Sequence, residues 1–172
     1  MSPPIPPGRR ENRPAAGAFT LAELIVVMVI LAIIAAMVVP QAIGTSDVKV
    51  QAAARVLLAD LEYAQNCAIV TQTAIDVTFD RNENSYKLSV SNESDPLEHP
   101  ITKKAYQVDF DTQSEFEGVS IAAVSFGGSP KLTFTALGAP QANGSVDVAA
   151  GDFTYRLTVA PVTGRVTVAK VP

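Results

Sequence analysis

The chain has 172 residues, room for one globular domain besides a membrane segment, and a formal net charge of −4. That acidic balance argues against a general nucleic-acid-binding surface, although a local basic patch stays open. One cysteine and one histidine leave no material for an intramolecular disulfide, a cysteine-rich zinc site or a histidine-based metal centre. Without tryptophan and with few other aromatics, the core has to be mostly Val, Leu, Ile and Ala.

Residues 1–18 (MSPPIPPGRRENRPAAGA) hold five of the twelve prolines and no apolar run, which predicts disorder. Arg9, Arg10 and Arg13 against Glu11 give this segment +2, so its removal would take the chain from −4 to −6. Those arginines should hold it on the cytoplasmic side of a membrane.

The next stretch dominates the chain. Residues 24–39 are apolar without a break, and residues 19–39 are apolar except for Thr20 and Glu23. As a helix, this stretch reaches roughly 32 Å, about the thickness of a bilayer's hydrocarbon core. Glu23 is the odd residue: an unpaired carboxylate in apolar surroundings needs a partner or a job. An ordinary secretory signal would be cut after the apolar run, near Ala35 and Ala36, but the run exceeds the usual signal core of about 7–15 residues.

Beyond Pro40 and Gly44, residues 47–71 read as a second helix. Val50, Ala54, Leu57, Leu61, Ala64 and Ala68 form one apolar stripe, from which Arg55, Asp60, Glu62 and Gln65 fall away. Pro40 is expected to kink a long helix rather than end it. Cys67, next to the stripe, is expected to be a buried small apolar residue.

After Thr71 the period changes to two. Ile75, Val77 and Phe79, a turn over residues 80–85, then Tyr86, Leu88 and Val90 read as a hairpin. Residues 91–104 form a polar loop whose His99 should be solvated. Further strands are expected over residues 105–110, 119–126, 132–135, 145–149, 153–160 and 165–171, separated by glycine-containing turns. Many short strands and no further helix predict antiparallel sheets, as a sandwich or a partly open barrel. The fold class is α+β: a long N-terminal helix, half transmembrane and half amphipathic, followed by an all-β head. No catalytic constellation, metal site or cofactor motif is recognisable. The carboxylates Glu93, Asp95, Asp147 and Asp152 are scattered. The basic residues Lys103, Lys104, Lys131, Arg156, Arg165 and Lys170 are dispersed in sequence, which disfavours DNA without excluding it.

A short basic leader, then Phe19-Thr20-Leu21-x-Glu23, then the apolar run, resembles the N-terminus of type IV prepilins and type II secretion pseudopilins. The family glutamate falls fifth after the leader cut and a proline commonly twenty-second, often followed by Gln. Cutting between Ala18 and Phe19 places Glu23, Pro40 and Gln41 on those landmarks. Ala18 stands where the family usually has Gly, and a cut after Gly17 would leave Glu23 sixth. The stretch from Leu57 to Leu61 with Ala64, Gln65 and Ala68, the run Leu132-Thr133-Phe134 with Gly138, and residues 157–168 resemble the GspH/FimT group of minor subunits.

The resemblance implies a leader over 1–18, a transmembrane or filament-core helix over 19–40, its amphipathic continuation over 41–72, and a periplasmic head over 73–172. It also implies prepilin peptidase as the processing partner, recognising Gly17, Thr20, Leu21 and Glu23, with methylation at Phe19. The expected function is a minor pseudopilin in the inner membrane, N-terminus cytoplasmic, joining other pseudopilin subunits near a filament tip to help export folded proteins. Secreted proteins are then further partners. A FimT-like minor pilin serving pilus priming or DNA uptake is the nearest alternative, and a plain membrane-anchored binding protein a third. An enzyme is not expected.

Overall fold

The computed structural model describes residues 20–43 and 45–172, and within them the side chains of residues 20–35 and 46–172. The chain divides between Gln41 and Ala42 into two units. The first is represented by helix α1 (Leu21–Ile43). Residues 24–35 supply only apolar side chains and no polar face, and all of them are exposed in the single chain. A helix apolar all round needs an apolar environment or apolar partners.

The second unit runs from Ala42 and contains helix α2 (Thr45–Thr71). Val50, Ala54, Leu57, Leu61, Ala64 and Ala68 are all fully buried, joined by Ala53. The helix stops because Gln72 turns into the left-handed region at φ 54°, while Thr73 N–H donates to Ala68 O at 3.3 Å. That bond closes the C-terminal turn, and the Gln72 side-chain amide donates to Ile69 O at 2.7 Å.

Eight strands follow: β1 (Ile75–Asp80), β2 (Ser85–Val90), β3 (Gln107–Asp109), β4 (Ser120–Phe126), β5 (Lys131–Phe134), β6 (Gly144–Ala150), β7 (Phe153–Val159) and β8 (Val166–Val171). They form two antiparallel four-stranded sheets, ordered β3-β2-β1-β5 and β4-β6-β7-β8. In the first hairpin Val77 lies opposite Leu88 and Phe79 opposite Tyr86, so the alternating apolar residues of both strands share the core face. Consecutive strands β4 and β5 belong to different sheets, so the turn between them carries the chain across the core.

Among the described residues no ladder joins the two sheets, so the head is not a barrel. The sheets and α2 instead close around one apolar core. Phe79 of β1 and Phe126 of β4 stack across it, ring centroids 6.0 Å apart. Asn84 ties the first hairpin turn to the start of β4, donating to Val119 O at 2.8 Å and accepting Ile121 N–H at 2.9 Å.

Two expectations need correction. The head is not free of further helix, because Ser114–Phe116 forms one 3₁₀ turn that buries Phe116. Cys67 is half-buried rather than buried, since it lies one position off the stripe, beside Tyr63 and Val70 on a shallow apolar groove. Burial still raises its thiol pKa, which keeps it a poor nucleophile.

Candidate functional site

The residues that the sequence suggests for processing and assembly are Gly17, Ala18, Phe19, Thr20, Leu21 and Glu23. Gly17, Ala18 and Phe19 lie outside the described residues, as does the side chain of Pro40, although α1 runs through that position. Thr20, Leu21 and Glu23 are described and exposed. Thr20 caps the helix: its hydroxyl accepts Glu23 N–H at 3.2 Å, and its carbonyl accepts Leu24 N–H at 3.2 Å. Thr20 and Glu23 therefore stand in the N-cap and N3 positions of a Thr-x-x-Glu start signal, and the Glu23 carboxylate sits where the helix dipole favours negative charge. The same spacing that resembles a processing motif is thus also a helix-starting motif. Among the described residues no helix is long and apolar enough to cross a membrane. The apolar stretch read from the sequence, residues 19–39, extends past the described side chains at both ends.

In the head, the segments that carry the GspH/FimT resemblance come together. Gln65 of α2 donates from Nε2 to Gly138 O at 2.7 Å and to Thr163 O at 2.8 Å. One side chain thereby holds the β5–β6 and β7–β8 loops against the helix. Gly138 (φ +78°) and Gly164 (φ +67°) adopt a backbone conformation that side chains rarely take, and a Cβ on Gly138 would fall 2.6 Å from Ile69 Cδ1. On Gly164 it would meet the Gln65 amide and lie 3.0 Å from Gly138 O. Gln65 lies off the apolar stripe, as its polarity requires, and hydrophobic period alone carries no sign of this role.

Asp60, also off the stripe, is half-buried under sheet one. Its carboxylate accepts from Tyr86 Oη at 2.5 Å and Tyr106 Oη at 3.0 Å. Burial raises its pKa, partly offset by the two phenol hydrogen bonds and by His99. His99 is half-buried rather than freely solvated, its ring 4.5 Å from that of Tyr106. Its Nδ1 accepts the Ile101 and Thr102 N–H groups at 3.2 Å each, which organises its own loop. A cavity of about 370 Å³ opens beside Asp60 and His99, with Lys104 and Glu115 on its wall. Its mixed charges select no single ligand class.

Several other ionic groups pair with each other. Arg156 grips Asp147 with two hydrogen bonds of 2.7 Å, Lys131 meets the buried Asp76 at 3.0 Å, Lys170 meets Asp47 at 3.0 Å, and Lys103 meets Glu98 at 3.1 Å. Lys131 stands on β5 of one sheet, and Arg156 and Lys170 on β7 and β8 of the other. Among the described residues no three His, Cys, Asp or Glu side chains are grouped to hold a metal ion.

An apolar N-terminal helix with a capped glutamate, followed by a helix packed into a two-sheet antiparallel head, defines a pilin-like fold. Solved structures share it. The minor pseudopilin EpsH from the type II secretion system of Vibrio cholerae superposes with a TM-score of 0.54 at 14% identity, over 70% of this chain and 96% of that one. A second EpsH structure gives 0.54 at 13% identity, over 71% and 94%. The type IV minor pilin FimU of Pseudomonas aeruginosa gives 0.51 at 19% identity, over 70% and 87%. No curated protein matches the chain. The prokaryotic N-terminal methylation motif matches residues 13–39, and the family described as type II transport protein GspH matches residues 53–164. The chain belongs to the GspH family, the minor pseudopilins of type II secretion. Membership, with the methylation motif, implies a membrane anchor, processing by a prepilin peptidase and assembly with other pilin-like subunits.

Proposed function

We propose that this chain is a structural, non-enzymatic subunit placed near the tip of a secretion pseudopilus. Prepilin peptidase cuts between Ala18 and Phe19, guided by Gly17, Thr20, Leu21 and Glu23, and Phe19 becomes the methylated N-terminus. The helix from Phe19 lies in the inner membrane with the head in the periplasm, Pro40 kinks it, and α1 and α2 act as one spine. The observation that carries this reading is the joint presence of the N-terminal methylation motif and the GspH head in one chain.

The mechanism follows from Glu23. After cleavage, the amine of Phe19 lies one residue before the Thr20 cap and four before the carboxylate. Glu23 of an incoming subunit attracts the N-terminal amine of a neighbour already in the filament, offsetting the cost of burying each charge. Such a pair adds little net stability relative to apolar packing, but removing one partner strands the other, so it sets register between subunits. The chain then moves with the growing filament and helps push folded proteins outward.

Glu23→Ala should leave the chain inserted in the membrane but unable to enter the filament, with exoproteins trapped in the periplasm. Normal secretion by that variant would overturn the mechanism. Mass spectrometry of the mature N-terminus should find methyl-Phe19, whereas a retained leader would defeat the processing step. The likeness to FimU favours a minor pilin of a type IV pilus as the second reading. A deletion strain with unchanged supernatant proteins but altered surface pili or DNA uptake would select it.

A further inference from the structure

We propose that His99 is a pH-sensitive latch on the turn over residues 99–104, closed while the imidazole is neutral and opened when the ring takes a proton.

The turn is built around that ring. Glu98 and Ala105 bridge at its base, and His99 N–H donates to Lys104 O at 2.8 Å. At its tip, Ile101 N–H and Thr102 N–H both donate to His99 Nδ1 at 3.2 Å. Lys103 sits at φ 58°, where non-glycine residues are uncommon, so the tip needs ties to keep its shape. The ion pair of Lys103 with Glu98 is exposed on both sides and holds it weakly. The imidazole nitrogen, shared by two N–H groups, is the clasp.

Only a neutral ring can serve in this way. Acceptance at Nδ1 uses a lone pair, and protonation replaces that lone pair with an N–H. Both ring nitrogens are then donors, so no flip of the ring restores an acceptor. The same protein holds a turn that escapes this condition. At the first hairpin, Asp80 Oδ1 accepts the N–H groups two and three residues on, Asn82 at 2.8 Å and Glu83 at 3.1 Å. His99 accepts at the same two offsets. An aspartate keeps its acceptor throughout the neutral range, whereas histidine changes charge between about pH 5 and pH 8. A histidine in an aspartate's place makes the turn conditional.

The surroundings give the charged ring somewhere to go. His99 and Thr102 line the cavity of about 370 Å³, as do Asp60 of α2 and Glu115 of the 3₁₀ turn, whose carboxylates attract an imidazolium. Burial raises the Asp60 pKa and the charge of His99 pulls it back, so the two charges favour each other. Its own loop adds Lys104, which repels the charged ring, and the Glu98–Lys103 pair, whose charges cancel. The loop also places the Tyr106 ring 4.5 Å away, with Tyr63 of α2 stacked on Tyr106 at 5.2 Å. Protonation thus removes two hydrogen bonds from the tip and draws the ring toward Asp60. The base of the turn stays paired, so the tip moves as a flap and uncovers the cavity.

His99 is the chain's one histidine, so isotope-labelled histidine gives a single ring to follow by NMR in the full chain, purified without a histidine tag and held in lipid nanodiscs. At about pH 8 the ring proton should lie on Nε2, and hydrogen exchange at Ile101 and Thr102, corrected for its intrinsic pH dependence, should be slowed. At about pH 5 the ring should carry both protons, and protection of those two amides should fall about tenfold. His99→Asn supplies an acceptor that does not titrate, so its turn should stay protected at both pH values. His99→Phe keeps a ring beside Tyr106 without an acceptor, so its turn should be unprotected at both. A proton on Nδ1 at the higher pH, or parental protection that does not change with pH, would overturn the proposal. So would a loss in His99→Asn as large as the parent's, which would assign the switch to another group, or full protection in His99→Phe.

Discussion

At the scale of single residues, the carboxylate of Asp60 is held tightly within the head. It is the acceptor for two phenols that descend from β2 and from the loop before β3. Truncation by Asp60→Ala would leave two largely buried hydroxyls without an acceptor, a loss of about 1–3 kcal/mol readable in denaturant unfolding. Asp60→Asn, which keeps one acceptor, should lose less. The titration has a definite sign. Burial, and the Asp60 charge beside them, raise the phenol pKa values of Tyr86 and Tyr106 above 10.0. Above that value the unfolded chain loses these protons while the folded chain keeps them, so stability is full below it and falls as pH rises toward the folded values. Asp60 is itself raised above 3.8 by burial, so its contribution is full below that pH and lost as pH rises through its folded value. Melting scans from about pH 8 to about pH 11 should show a steep alkaline fall, shallower in Tyr106→Phe. A flat profile in the parent protein would contradict the assignment.

At the scale of elements, the head depends on how two loops are held to α2. Gly164→Ala would set a Cβ against the Gln65 amide and the Gly138 carbonyl at positive φ, whereas at Gly138 the obstacle is the flexible end of Ile69. Gly164→Ala should therefore cost about 1–3 kcal/mol and Gly138→Ala nearer 1 kcal/mol, an order that thermal melting can check. Much of this architecture was legible beforehand. The stripe from Val50 to Ala68, the first hairpin and the strands after it all came from hydrophobic period, because period reports which face of an element is buried. It does not report partners. Gln65 reaches 73 and 98 residues along the chain, and Asn84 reaches 35 and 37, so nothing local marks either as a tie. The 3₁₀ turn at Ser114–Phe116 is shorter than one α-helical turn, so no helical period can show it. Thr20 and Glu23 read in the sequence as part of a stretch that resembles a processing motif, and the same spacing also spells a helix cap, with Thr20 Oγ1 taking the Glu23 N–H. Thr20→Val, which keeps the volume and removes the acceptor, should fray the first turn of α1 at a cost of about 1 kcal/mol.

At the scale of the whole molecule, the apolar surface is divided between two uses. The described core of the head draws on residues from Val50 to Val166, with seven of its buried side chains supplied by α2. The apolar side chains of residues 24–35, by contrast, are exposed throughout. The head should therefore fold as one unit that includes α2, and a chain beginning at Ala42 should unfold cooperatively within a few degrees of the full chain. A chain beginning at Thr73 should not fold at all. It lacks Leu57 and Leu61, whose loss alone costs about 2–5 kcal/mol each against a total stability of about 5–15 kcal/mol. It also lacks Asp60 and Gln65, so Tyr86, Tyr106 and both glycine loops lose their anchor. Calorimetry of the two truncations decides the matter: a cooperative transition in the shorter chain would mean that the sheets carry their own core and α2 merely covers it. If only the longer one melts cooperatively, α2 belongs energetically to the head, and its buried face is as much a part of the core as either sheet.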